Sequence, residues 1–206
     1  MSDVIPEAVP LHHATAPAAR AAPRPVVGVS LKLYFGLART RAWLAEVAAL
    51  DAVLAGLPRP VDLFVLPSFP ALADARELLS GTRIGYGAQE GEQRAGDPAT
   101  AAEETLAQVR AALAGAAPGS EVIVAYEPVW AIGAREPAPA GHVRAVATAL
   151  RGALHDHDVR GRLIYGGTAG PGTHGELAGA VDGLFLGRLA HDTEGLRKVL
   201  EELSGG

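Results

Sequence analysis

From residue 26 onward, short apolar runs alternate with apolar stripes at helical spacing. Residues 26–34 read as a first strand. Residues 40–57 have helical spacing, with Trp43, Leu44, Val47, Leu50 and Leu54 on one side. Residues 61–66 form a second strand ended by Pro67, and residues 71–79 a helix stopped by Gly81. Residues 83–89 read as a third strand. Asp97 is placed to cap a helix with Pro98 at its first position, continuing through Leu106, Val109 and Leu113. A fourth strand covers residues 122–127, a helix residues 140–154, and a fifth strand residues 163–165. Thr173 and Glu176 have capping-box spacing before a short helix. A sixth strand covers residues 181–186. Asp192 then caps a last helix with Leu196, Val199, Leu200 and Leu203 on its apolar face. Strict alternation predicts an α/β fold, a parallel sheet with helical crossovers. Periodicity does not choose between an open doubly wound sheet and a barrel. The first strand runs into Ser30-Leu31-Lys32 rather than a Rossmann glycine pattern, which counts against a dinucleotide fold.

Composition narrows the picture. Residues 1–25 are rich in Ala and Pro without periodicity and read as a flexible extension, with His12 and His13 part of that tail. Residues 26–206 then make one domain, and 49% hydrophobic content is enough to build its core without staples. A net charge of -5 argues against a nucleic-acid partner. The absence of cysteine excludes disulfides, thiolate metal sites and a cysteine nucleophile. No apolar run approaches the roughly 20 residues that span a bilayer, and no secretory signal is evident. The expectation is a soluble, cytoplasmic protein without membrane contact.

The candidate chemistry gathers at strand ends. The run Val122-Ile123-Val124-Ala125 leads to Tyr126 and Glu127, a single carboxylate at the end of an apolar strand. Unbroken apolar runs read as parallel strands covered on both faces. Burial there would raise the carboxyl pKa toward that of a general base working near neutrality. The first strand offers Lys32 and the third offers Gln89, within Gly87-Ala88-Gln89. The fifth and sixth end in glycine turns, Gly166-Gly167-Thr168 and Gly187, whose backbone N–H groups can approach an anion closely. Each turn leads toward a helix N-terminus, so the two form a candidate phosphate cradle. Taken singly, a Gly-Gly turn is only a turn, and a lysine at a strand end is ordinarily a solvated charge.

Together these pieces resemble the triosephosphate isomerase family. The string Tyr126-Glu127-Pro128-Val129-Trp130-Ala131-Ile132-Gly133 is similar to its active-site signature, and Gly87-Ala88-Gln89 to the end of its third strand. Tyr165-Gly166-Gly167-Thr168 resembles a Tyr-Gly-Gly-Ser motif, with threonine for serine. Asp182-Gly183-Leu184-Phe185-Leu186-Gly187 resembles its last strand, with Arg188 for a second glycine. Ser30 stands where the family has asparagine. The resemblance covers residues 26 to about 200 and implies a TIM (β/α)8-barrel fold, a homodimer, and no cofactor or metal. It also implies interconversion of dihydroxyacetone phosphate and glyceraldehyde 3-phosphate, as in glycolysis and gluconeogenesis. Glu127 would be the base, with Lys32 offsetting enediolate and phosphate charge. Ser30, Gly133, Gly166, Gly167, Thr168, Gly187 and Arg188 would line the substrate and phosphate site, under a lid of residues 131–139. The partner is a small phosphorylated sugar.

The chain is short for that fold. An eight-stranded barrel typically takes about 250 residues, and six strands are readable here. In the family, the third strand leads to a dimer-forming loop, and a fourth presents an electrophilic histidine in a Gly-His-Ser-Glu-Arg segment. Here Gln89 is followed almost at once by Gly91-Glu92-Gln93-Arg94, which resembles the end of strand five. The join falls near Glu90 and removes strand four, nearly all of strand five and their helices. An incomplete barrel of about six βα units follows, with open edges at the third and fourth remaining strands and without the dimer loop. His142, His155, His157, His174 and His191 read as surface or helix-end residues. Isomerisation of another small sugar phosphate, and a non-catalytic phosphate-binding remnant, stay open beside the main expectation.

Overall fold

The computed structural model describes residues 23–32, 34–87 and 98–205. The proposed extension up to residue 22, Gln89, the join at Glu90 and the cap at Asp97 lie outside the described residues. The elements are β1 (Val26–Ser30), α1 (Leu37–Gly56), β2 (Asp62–Leu66), α2 (Leu72–Leu79), β3 (Gly85–Tyr86), α3 (Pro98–Leu113), β4 (Glu121–Tyr126), α4 (Ala140–Asp156), β5 (Arg160–Gly166), α5 (Thr173–Glu176), β6 (Gly183–Leu186) and α6 (Thr193–Gly205).

All six strands belong to one parallel sheet in the order β3-β2-β1-β6-β5-β4. The last strand in sequence pairs with the first, as in a closed barrel, whereas β3 and β4 stand at the two ends of the sheet. The fold is an incomplete TIM barrel, a curled sheet of six strands. Among the described residues no strand joins β3 to β4, and the wall is open between them.

The outer face of the sheet carries the core. Trp43, Leu44, Val47, Leu50 and Leu54 of α1 are all buried against it, as their spacing predicts. Leu196, Val199, Leu200 and Leu203 of α6 do the same. The inner face is narrower, with Val26, Ile164 and Phe185 buried and Phe64 and Leu66 packed on them. The Phe64 and Phe185 rings stack with centroids 6.2 Å apart. They meet across Gly28, where a Cβ would lie 2.4 Å from Phe64 and 2.6 Å from Phe185. Glycine is what lets the two rings close over β1.

Three local expectations are corrected. β4 is not covered on both faces. Val122 and Val124 pack on the outer core, but Ile123 is 39% exposed on the inner face, because β4 ends the sheet and no described strand pairs with its edge opposite β5. The first strand stops at Ser30, and Lys32 sits in a turn with φ of 46°. Thr173 is the first residue of α5 rather than its cap. Gly172 takes the cap position in a left-handed conformation, and the Thr173 hydroxyl accepts from the Gly170 N–H at 3.0 Å. Asp192 does cap α6, accepting from the Glu194 N–H at 3.1 Å.

Candidate active site

Residues that share an inner-face row of a parallel sheet are set by register. Ala125 pairs with Ile164 and Tyr126 with Tyr165, so Glu127 comes level with Gly166. The Glu127 side chain lies directly over that glycine. A Cβ on Gly166 would be 2.6 Å from Glu127 Cγ and 3.1 Å from Oε1. Burial raises the Glu127 pKa above the usual carboxylate value of 4.5, and the nearby Lys32 charge partly opposes the rise. One buried acid facing one lysine at the C-terminal end of a sheet is the arrangement expected of a carboxylate base with a cationic partner.

The segment after Glu127 folds back over the sheet and is fastened at several points. The Ala138 N–H donates to the Tyr165 hydroxyl at 2.8 Å. The Thr168 hydroxyl lies 3.0 Å from the Ala131 carbonyl and 2.8 Å from the Ala134 carbonyl, so its single proton serves both. Gly133, in a left-handed conformation (φ 73°), lies beside the Arg188 guanidinium, whose Nη2 would be 3.1 Å from a Cβ there. Gly167 leaves room for the Tyr165 phenol, which would stand 2.5 Å from a Cβ at that position. Tyr165 therefore fastens this segment through a hydroxyl that projects away from its own motif.

Lys32 follows β1, Glu127 follows β4, Gly166 ends β5 with Gly167 and Thr168 after it, and Gly187 with Arg188 follow β6. These four strands are consecutive neighbours in the sheet, so the structure brings the proposed site residues to one rim. Ser30 is buried at the end of β1, in register with Leu66 of β2. The Trp43 indole N–H donates to the Ala190 carbonyl at 2.8 Å, tying the turn that carries Arg188 to α1. Among the described residues neither Lys32 nor Arg188 has a carboxylate within ion-pair distance.

Sequence reasoning missed two side chains. Tyr165 was legible as part of a glycine motif but not as a lid anchor. His142, expected at the surface or a helix end, is the third residue of α4 and half-buried, with Nε2 2.8 Å from the Tyr126 hydroxyl, a contact that its position does not announce. The remaining described histidines stand apart from Glu127's row. His191 has a buried Nε2 without a hydrogen-bond partner and packs between Tyr34 and Phe35. Burial, then the Arg39 and Arg188 charges, hold it below its ordinary pKa. His157 bonds the Ala153 carbonyl at the end of α4.

A cavity of about 710 Å³ opens at the opposite rim, where Arg24, Asp62, Glu121, Arg160 and Arg162 line it. Each of its arginines has a carboxylate partner: Arg24 and Arg162 share Asp62, Arg160 pairs with Glu121, and Arg151, also in the lining, pairs with Asp182. Parallel α/β sheets place ligands outside the carboxyl ends of their strands, and the unmatched cations are at that end.

Residues 90–203 match the family model described as triosephosphate isomerase. An L-erythrulose-1-phosphate isomerase of Pectobacterium atrosepticum is 32% identical, over 85% of this chain and 94% of the relative. The chain belongs to the triosephosphate isomerase family. A triosephosphate isomerase of Thermus thermophilus is 27% identical over 86% of this chain and 98% of its own length. One from Deinococcus radiodurans is 42% identical across 41% of this chain. The first of these alignments runs over 245 positions, more than the 206 residues available here, so that relative carries segments this chain lacks. The missing wall of the sheet is the structural face of that difference. Among the described residues no helix is long and apolar enough to cross a membrane.

Proposed function

We propose that this chain is an aldose–ketose isomerase that interconverts dihydroxyacetone phosphate and glyceraldehyde 3-phosphate through an enediolate. The observation that carries the reading is Glu127, half-buried near Lys32 at the end of β4, with the segment after it fastened to Tyr165. In the proposed reaction the Glu127 carboxylate removes a proton from the carbon next to the substrate carbonyl. The electron pair moves onto the carbonyl oxygen, the proton of the neighbouring hydroxyl passes to that oxygen within the enediolate or through solvent, and the protonated carboxyl returns its proton to the former carbonyl carbon. Lys32 offsets the negative charge that develops. Backbone N–H groups at Gly133, Thr168 and Gly187 hold the phosphate, with Arg188 as an added cation. The closed lid keeps water from the enediolate.

The strand that presents the family's electrophilic histidine has no counterpart in the sheet. A positioned acid/base group is worth roughly 10²–10⁴ in rate, so turnover should be slow by that factor while anion binding persists. A four-carbon substrate is the second reading. It is favoured by relatives named L-erythrulose-1-phosphate isomerase and by the departures at Ser30 and Arg188. A phosphate-binding chain without turnover is the limiting case.

The test is a coupled assay on the intact chain with each triose phosphate and with L-erythrulose 1-phosphate, run beside Glu127→Gln. Activity on one substrate that Glu127→Gln reduces by at least about 10²-fold supports the base. A rate that Glu127→Gln leaves unchanged refutes it.

A further inference from the structure

Tyr126 is the last residue of β4, immediately before Glu127, and its side chain points the opposite way, toward the helices. His142 is the third residue of α4, just past the lid. The chain leaves the sheet at Tyr126, runs through the lid and returns at His142. There the phenol oxygen and imidazole Nε2 meet at 2.8 Å. Trp130, on the outgoing stem of the lid, sets its ring edge-on to the same imidazole, with centroids 5.5 Å apart. One histidine therefore touches both stems. The Tyr126 residue is 2% exposed, and its hydroxyl is pushed up to about 12 by burial and by the neighbouring Tyr165. The phenol keeps its proton and shares one hydrogen bond with His142 Nε2, the imidazole tautomer setting which of the two donates.

We propose that His142 is a positioning residue: bonded to Tyr126, it ties the two stems of the lid together and holds the lid closed over Glu127. The inference deepens the lid-and-base reading above and rests on it. The other fasteners, at Tyr165 and Thr168, act on the body of the lid. The tie at His142 acts at its hinges, where a short separation controls a large excursion.

Lid opening can be read without turnover. Arg135 is exposed near the middle of the lid, and Lys198 is exposed on α6, far along the chain. Limited trypsin digestion followed by mass spectrometry gives the ratio of cleavage after Arg135 to cleavage after Lys198. A change in global stability moves both sites, whereas a change in the lid moves the ratio. Loss of one neutral hydrogen bond should raise the ratio about 2–10-fold in His142→Ala and in Tyr126→Phe. His142→Gln, whose carboxamide oxygen can accept the phenol proton, should stay within about twofold of the parent. An unchanged ratio in His142→Ala overturns the proposal. So does an equal rise in His142→Gln, which would assign the effect to ring packing. Tyr126→Phe, which keeps the imidazole, carries the same test if His142→Ala does not fold. Because the ratio needs no isomerase activity, an inactive chain still tests the tie, and a failed tie leaves the Glu127 assay unaffected.

Discussion

Replacing Gly166 with alanine tests the link between sheet register and the base. Gly166 is the last residue of β5, buried, and in a strand conformation that alanine adopts freely. The added methyl would sit 2.6 Å from Glu127 Cγ and 3.1 Å from its Cδ and Oε1. Carbon atoms rest at about 3.5–4.0 Å, so Glu127 must withdraw by about 1 Å. In a positioned catalytic group a displacement of that size costs on the order of 10² in rate. The fold should notice less, because Glu127 is half-buried at a rim and has somewhere to go. Gly166→Ala is expected to keep its melting temperature within a few degrees and to lower kcat/KM about 10²-fold. The Glu127 carboxyl resonance, followed by NMR against pH, provides a second readout that needs no turnover. Its titration should move back toward an ordinary carboxylate as the side chain is pushed into solvent. A variant with the parent's rate and the parent's titration would show that Glu127 does not lie over Gly166, and the account of the base would fall with it.

The raised Glu127 pKa also fixes a sign. Below the usual 4.5 the carboxyl is protonated in folded and unfolded chains alike. As pH rises from there to the elevated folded value, the folded chain holds the extra proton, so stability falls across that window and then levels off. The melting temperature of Glu127→Gln relative to the parent should therefore increase with pH over that window, and a constant difference would contradict the burial argument. By the same shift, the acid limb of the kcat/KM profile should lie above the ordinary carboxylate range. Gly28→Ala probes the inner face, since its methyl would overlap Phe64 and Phe185. Overpacking of this kind costs about 1–3 kcal/mol, measurable by chemical denaturation, and a neutral result would mean that the rings do not close over β1.

The helices were the most legible elements. The stripe from Trp43 to Leu54 is a property of α1 itself, and any neighbour would bury it on the same side. The strands were less so, because what covers a strand is another part of the chain. The run from Val122 to Ala125 reads as a strand buried on both faces, yet Ile123 meets solvent, since β4 ends the sheet and no described strand pairs with its edge opposite β5. The candidate base was legible for a local reason: it terminates an apolar run and precedes a recognisable lid. Tyr165 and His142 were not. Tyr165 reaches the lid across 27 residues, and His142 meets Tyr126 across 16 after the lid has gone out and come back. A histidine near a helix start has no sequence feature that announces its contact.

Sheet order explains how the chain can lose a quarter of its barrel strands and still assemble one rim. The candidate base, lysine, glycine turns and arginine follow β4, β1, β5 and β6, which form one unbroken hydrogen-bonded arc. The missing wall lies between β3 and β4, at the ends of the sheet. Strand-to-strand register within the arc does not depend on closure, so the distance between Glu127 and the glycine turns is set by ladders that remain intact. In the proposed reaction, gripping the phosphate and presenting the base both draw on the arc alone, so neither requires the sheet to close.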